Sequence, residues 1–332
     1  MSVHDLSKGE GVVEQVTRTA EAVLEQYGVP LGSNLSLLEI SENATFVVEA
    51  PGSKMALRVH RLGYHSLQEI RSEVAWSEAL RSGGFVRTPA VIPAIDGELV
   101  TVATVDGIER SCVLFDYVDG YQLALEPTLE QFELIGATAA TMHCQSRLWT
   151  PPADFDRFSW DIDACFGAAA RWGSYRAGSG LTPSEILVLE RAERTIRRRL
   201  GDYGTSAEVF GLIHADMRAT NMIWDDYGQM TLIDFDDCGY SWFMYDLACA
   251  LSFMEHSENR MRLVDAWLSG YRTVAPVSAD DRAELETLIL LRRMILVAWI
   301  GSHPAAPSAV AQNQIYCHTT VELADIYLSD HS

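Results

Sequence analysis

The chain has 332 residues, 48% of them hydrophobic and 21% charged, with a formal net charge of −21. That is enough for one large domain or two modest lobes around a sizeable core, with the composition of a soluble globular enzyme. The acidic balance argues against nucleic acid and anionic membranes as partners, because binders of either carry a basic patch; it suits a cationic substrate, or solubility alone.

Residues 1–30 are charged and hold no apolar signal core, and 10–27 read as an amphipathic helix closed by Gly28 and Pro30. Residues 35–40 and 45–50 read as strands parted by Ser41-Glu42-Asn43, and Pro51-Gly52-Ser53 turns the chain into a third, 54–60. Ser66-Leu67-Gln68-Glu69 is a capping box opening a helix that runs to about Arg81, where Gly83-Gly84 ends it. Strands 99–105 and 110–117 flank an Asp106-Gly107 hairpin turn. Beyond Asp119-Gly120 the pattern turns helical, over 129–147, 183–200, 246–255 and 281–300. The most apolar stretch, 288–300, is interrupted by Arg292 and Arg293 and is too short to span a bilayer; it reads as a buried helix. The six cysteines form no C-x-x-C pair, which suits a reducing cytoplasm. The expected fold is α+β in two lobes: a small antiparallel β lobe with one inserted helix, residues 1–119, and a larger helical lobe, residues 120–332.

One irregular island interrupts the helices, from Phe210 to Asp236. It carries His214, Asp216, Asn221, Asp234 and Asp236 between runs that want to be buried, with a turn expected at Asp225-Asp226-Tyr227-Gly228. A hairpin here brings two carboxylates and an amide oxygen together, hard oxygen ligands that suit magnesium. The pattern H-x-D-x-x-x-x-N followed by I-D-F-D has the spacing of a kinase catalytic loop, with Ala215 where protein kinases often place arginine.

The segment 212–251, with Asp234-Phe235-Asp236-Asp237 and Tyr245-Asp246-Leu247-Ala248, resembles the aminoglycoside phosphotransferase and choline kinase superfamily, whose fold is protein-kinase-like. Upstream, Ser41-Glu42-Asn43-Ala44-Thr45-Phe46 is similar to that family's nucleotide-covering turn, and 114–120 to its interlobe hinge. The layout is also similar to that of bacterial stress response kinases of the same fold. The resemblance implies ATP and magnesium as cofactors and a hydroxyl as acceptor. It makes Asp216 the catalytic base, Asn221 and Asp234 the metal ligands, and Phe115, Asp116 and Val118 the adenine-binding hinge. His214 then shapes the loop, and Asp246 holds it through backbone hydrogen bonds. For Asp236 a metal neighbour, a substrate contact and a loop-shaping acceptor all stay open; for Arg218, a ligand contact and a surface position do.

The sequence departs from the family at the phosphate-binding lysine. Lys8 and Lys54 are the only lysines, and the third strand places Arg58 at the aligned position. Alternation puts Lys54, Ala56, Arg58 and His60 on one face, with Lys54 about 13 Å from Arg58. Arg58 is therefore expected to contact the phosphates, and Glu73, rather than Glu69 one turn earlier, to position it. Only 12 positions separate Asp234 from Asp246, too few for a peptide-docking activation segment. A small-molecule O-phosphotransferase is thus the leading expectation, with a protein Ser/Thr kinase of the stress-response type and a non-catalytic nucleotide binder as alternatives. No nucleic acid, no membrane partner and a cytoplasmic location complete it.

Overall fold

The structure, a computed structural model, describes residues 10–40, 42–123, 127–304 and 307–331. Ser41 of the nucleotide-covering turn lies outside them. The chain divides into two compact units: one comprises the described residues up to Tyr121 with Thr150–Arg157 and Ile223–Asp236, the other Gln122–Trp149, Phe158–Met222 and Asp237 onward.

The first unit opens with α1 (Glu10–Leu24) and a sheet of β1 (Asn34–Ile40), β2 (Ala44–Ala50), β3 (Ser53–Val59), β4 (Val91–Ile92), β5 (Thr101–Val105) and β6 (Ile108–Asp116). The strand order is β1-β2-β3-β6-β4, with β5 also paired to β6, and each of these neighbouring pairs is antiparallel. On α1, Val16, Ala20 and Val23 share one face at helical spacing and pack with Phe46, Val48, Met55, Leu57 and Val59 of β2 and β3. That leaves the opposite face of β3, including Arg58, for chemistry. Asp106 and Gly107, at φ 54° and 76°, form the two-residue turn between β5 and β6; both central residues being left-handed matches the strand twist. Helix α2 (Leu67–Ser82) follows β3 and starts on the Ser66/Glu69 capping box, in which Ser66 and Glu69 each accept the other's backbone N–H.

In the second unit β7 (Tyr121–Gln122) leads to α3 (Leu129–Leu148), the short α4 (Ile162–Phe166) and α5 (Pro183–Tyr203). Next along the chain come β8 (Phe210–Ile213), then β9 (Met222–Trp224) and β10 (Met230–Leu232), which fall almost wholly in the first unit, and β11 (Gly239–Trp242), back in the second. The hairpin in the island is β9–β10, with β7 on the other side of β9, whereas β8 pairs antiparallel with β11. Helices α6 (Tyr245–Ala250), α7 (Arg260–Arg272), α8 (Ala279–Ala283), α9 (Leu285–Ser302) and α10 (Pro307–His331) complete the chain. The helix expected over 246–255 ends at Ala250, and the one over 281–300 is two helices meeting at Glu284. No described helix is long and apolar enough to cross a membrane.

Candidate active site

Asp216 sits in the loop after β8, with an almost wholly buried carboxylate. The backbone before it is held in an uncommon conformation: Ala215 has φ 63°, a left-handed value that a non-glycine residue keeps only when its surroundings enforce it. The enforcing group is Asp246 at the start of α6. Its Oδ1 accepts the Ala215 N–H at 2.8 Å and its Oδ2 the His214 N–H at 3.3 Å. Asp246 is in turn 2.9 Å from Nε2 of His143 on α3, whose Nδ1 meets the Tyr271 hydroxyl of α7 at 3.0 Å. His214 is fully buried, and its Nδ1 accepts the Asp216 N–H at 3.2 Å. That bond puts any ring proton on Nε2 and ties the histidine to loop geometry.

Three donors converge on the Asp216 carboxylate. Arg292 Nη2 donates to Oδ1 at 2.6 Å, while Arg218 Nε and Asn221 Nδ2 donate to Oδ2 at 3.1 and 2.7 Å. Burial pushes the Asp216 pKa up, but the charges of Arg218 and Arg292, with His214 and the Asn221 hydrogen bond, outweigh it and hold the carboxyl below its usual range. Asn221 also donates to the Asp216 carbonyl at 2.9 Å, so both amide hydrogens are spent and its oxygen remains as the ligand group. An amide oxygen of this kind is a fitting donor for a hard cation.

In the first unit β3 presents Arg58, buried, against Glu73 of α2. Arg58 Nη1 is 3.4 Å from Asp234 Oδ1, and its guanidinium carbon lies 5.4 Å from the centre of the Phe115 ring. Burial works against the charge, and Glu73, Asp236 and Asp234 more than compensate it, raising the Arg58 pKa. Glu69 is instead engaged in the capping box and with His65. Lys54 is half exposed, 3.9 Å from Asp119 and 3.7 Å above the Tyr117 ring.

Asp234 also has a left-handed backbone, φ 63°, and a half-exposed carboxylate. That carboxylate, like the Asn221 oxygen, fits magnesium, which takes few protein ligands and completes its shell with water and phosphate oxygens. Among the described residues no group of three or more His, Cys, Asp or Glu side chains could cage a metal by itself. Asp236 is enclosed: His60 Nδ1 and His65 Nε2 lie 3.6 Å from its two oxygens, and Arg157 donates to its carbonyl at 2.5 Å. Burial raises its pKa, yet the close approach of His65, then the charges of Arg58 and His60, drive it well below the usual carboxylate value. These contacts favour the loop-shaping reading.

At the hinge, the Asp116 N–H is spent on the Ala90 carbonyl at 2.9 Å, and the Tyr117 N–H on Lys54 at 3.3 Å. Among the described residues Val118 makes no backbone hydrogen bond, which leaves its N–H for a ligand. A pocket of about 540 Å³ beside the hinge is lined by Arg81, Phe85, Arg87, Asp116, Val118 and Thr231 among others. It shares no residue with the Arg58 cluster.

The phosphotransferase enzyme family model matches residues 36–286. The chain belongs to that family. It is therefore a transferase, and its α+β fold is the kinase-like fold of the group. The solved microcompartment-associated aminopropanol kinase is 39% identical, with a TM-score of 0.88 over 95% of this chain and 98% of that one. The amicoumacin kinase of Bacillus subtilis is 26% identical over 72% of this chain and 67% of its own length. The amicoumacin kinase hAmiN, solved with AMP-PNP, Ca2+ and its antibiotic, shares the fold at 17% identity, with a TM-score of 0.74 over 96% of this chain and 95% of that one.

Arg292, His143, His60 and His65 had no place in the sequence-based site. For Arg292 a signal existed: a charge inside an otherwise apolar helix must find a buried partner.

Proposed function

We propose that this phosphotransferase moves the γ-phosphoryl group of ATP, with a divalent cation such as magnesium, onto the hydroxyl of a short amino alcohol of the aminopropanol class. The observation that carries the reading is the Asp216 carboxylate, ionised and clamped by three donors within a family of phosphotransferases. The acceptor class rests on the 39% identity to the aminopropanol kinase.

ATP supplies the phosphoryl group, and the cation neutralises charge on its oxygens. The chain's own residues do the rest. Asp216 accepts a hydrogen bond from the acceptor hydroxyl, aims its oxygen, and takes its proton as that oxygen bonds to the γ-phosphorus and the bond from that phosphorus to the bridging oxygen breaks, releasing ADP. A carboxylate with its pKa held below the usual carboxylate range is a weak base, which suits a loose transition state in which the proton leaves late. Arg58, oriented by Glu73, holds phosphate charge; Asn221 and Asp234 offer oxygens to the cation; Phe115, Asp116 and Val118 form the adenine-binding hinge. His214, Asp236 and Asp246 keep the loops in shape.

The test is ADP release, with and without magnesium, across aminopropanols, choline, homoserine, an aminoglycoside and a protein acceptor. Magnesium-dependent turnover is expected with the aminopropanols, and its loss in Asp216→Asn. Turnover with the protein alone would overturn the acceptor class, and normal turnover in Asp216→Asn would overturn the base.

A further inference from the structure

Helix α9 is buried on nearly all sides, yet it carries two adjacent arginines, Arg292 and Arg293, exposed by 1% and 0%. Charges so placed are tolerated only when paired and hydrogen-bonded. Arg293 is satisfied by Glu255 at 2.7 Å, by Thr320 and Thr319 hydroxyls at 2.9 and 2.6 Å, and by the Tyr316 carbonyl at 3.5 Å. None of these belongs to the Asp216 loop. Arg292 is satisfied by that loop: Nη2 donates to Asp216 Oδ1 at 2.6 Å and Nη1 to the Ala215 carbonyl at 3.4 Å. Its Nε is anchored on the Ser252 hydroxyl at 3.1 Å, and the Trp172 ring centre lies 5.2 Å from the guanidinium carbon.

Two features make this more than a stabilising pair. The fork grips main chain at one residue and side chain at the next, where Ala215 is left-handed and Asp246 holds that same residue from its N–H side, through the preceding peptide. The carboxylate is also pinned at both ends. Among the described residues Oδ2 receives two donors, Arg218 and Asn221, whereas Oδ1 receives only Arg292. A carboxylate oxygen has about two acceptor positions, so Oδ1 is the atom with one to spare.

We propose that Arg292 is a positioning residue for phosphoryl transfer: its fork fixes the Asp216 carboxylate so that Oδ1 is the atom that meets the acceptor hydroxyl. This rests on the reading of Asp216 as the base. Arg292 touches neither acceptor nor nucleotide; it acts through Asp216 and Ala215.

The test compares Arg292→Met, Arg292→Lys, Arg293→Met and Asp216→Asn with the double variant Arg292→Lys/Asp216→Asn, all in the full chain with the best acceptor of the panel. Misplacing a catalytic group by an ångström costs about a hundredfold, so kcat of Arg292→Met should fall by about that factor with both KM values little changed. Arg292→Lys should be intermediate, because an ammonium meets one acceptor well but cannot reproduce the fork. It also decides the question if the methionine variant does not fold. Arg293→Met should lower thermal stability while folded enzyme keeps its kcat, separating loss of a buried charge from loss of positioning. In the Asp216→Asn background the lysine change should cost nothing further, as expected of a residue acting through Asp216. Wild-type kcat in Arg292→Lys, or an equal loss in both backgrounds, would overturn the proposal. Normal turnover in Asp216→Asn alone would remove the base reading itself, an outcome distinct from either.

Discussion

His65 has a buried side chain, with Nδ1 3.8 Å from Glu69 and Nε2 3.6 Å from Asp236. Burial lowers its pKa, but the neighbouring carboxylates of Asp236 and Glu69 prevail and the net shift is upward. A histidine with a raised folded-state pKa contributes stability fully below its unfolded value, about 6.5, and loses it as pH rises through the folded value. His65→Asn should therefore cost more unfolding free energy at about pH 5.5 than at about pH 8.5, read by urea titration at each. An equal cost at both would show that folding leaves the His65 pKa unshifted. Glu69, lowered to about 2 against the burial that would raise it, has the opposite sign: its contribution is present above the unfolded carboxyl value and is lost as pH falls toward 2. Arg58 and Lys54 make a second contrast. Arg58 is buried between Glu73 and Asp234, whereas Lys54 leans on the Tyr117 ring at the far end of the strand. Arg58→Ala should weaken nucleotide binding about tenfold or more, the scale of a lost charge-assisted hydrogen bond, with Lys54→Ala near wild type. Because Arg58→Ala also strands the buried Glu73, Arg58→Lys should recover stability and part of the binding; the reverse order of Arg58 and Lys54 in a nucleotide titration would move the phosphate contact to Lys54.

Among the elements, α3 and α7 approach most closely through two glycines. A Cβ on Gly136 would stand 2.0 Å from the Trp267 carbonyl oxygen, and one on Gly270 would stand 1.7 Å from that of Glu133. No side chain rotation relieves a backbone clash, so the helices must part. They also carry His143 and Tyr271, which through Asp246 hold the Asp216 loop. Gly270→Ala should destabilise the fold by about 1–3 kcal/mol or more and lower kcat beyond what the folded fraction explains; unchanged melting and turnover would show that this crossing does not set the loop. None of this coupling was legible in the sequence, where Gly136 and Gly270 are isolated glycines in helical patterns. What could be read was local: the Ser66/Glu69 box, the Asp106-Gly107 turn, the alternation on β3, and the spacing from His214 to Asn221. Strands β4 and β11 escaped because they are short and pair with distant partners, Phe115 with Val91 and Ile213 with Gly239. The end of α6 at Ala250 escaped because the apolar run continues past it without a proline or glycine. For Arg292 the oddity of a charged pair in an apolar helix was visible, but its partner was 76 positions away.

At the scale of the whole molecule the net charge of −21 gives the two substrates opposite fates. A protonated amino alcohol is drawn toward such a field, whereas the nucleotide, anionic even with its cation, is repelled by it. Added salt shortens the reach of both effects, the Debye length being about 10 Å at 0.1 M and about 30 Å at 0.01 M. The KM for an amino alcohol should therefore rise with ionic strength while that for the nucleotide falls. A neutral diol of the same length should show no acceptor-side trend. Steady-state kinetics between about 0.01 M and about 0.2 M salt separates the possibilities, since that range spans the change in screening. Opposed slopes would mean that the acidic surface gathers its acceptor at some expense in nucleotide affinity. Flat slopes would mean that local contacts around Arg58 and Asp216 decide both affinities and the charge serves solubility. The arginine-for-lysine exchange at the proposed phosphate contact, Arg58, has its place in the same balance. In a chain this acidic, a group that stays protonated in any surroundings secures the anionic nucleotide more firmly than an ammonium whose charge burial can remove.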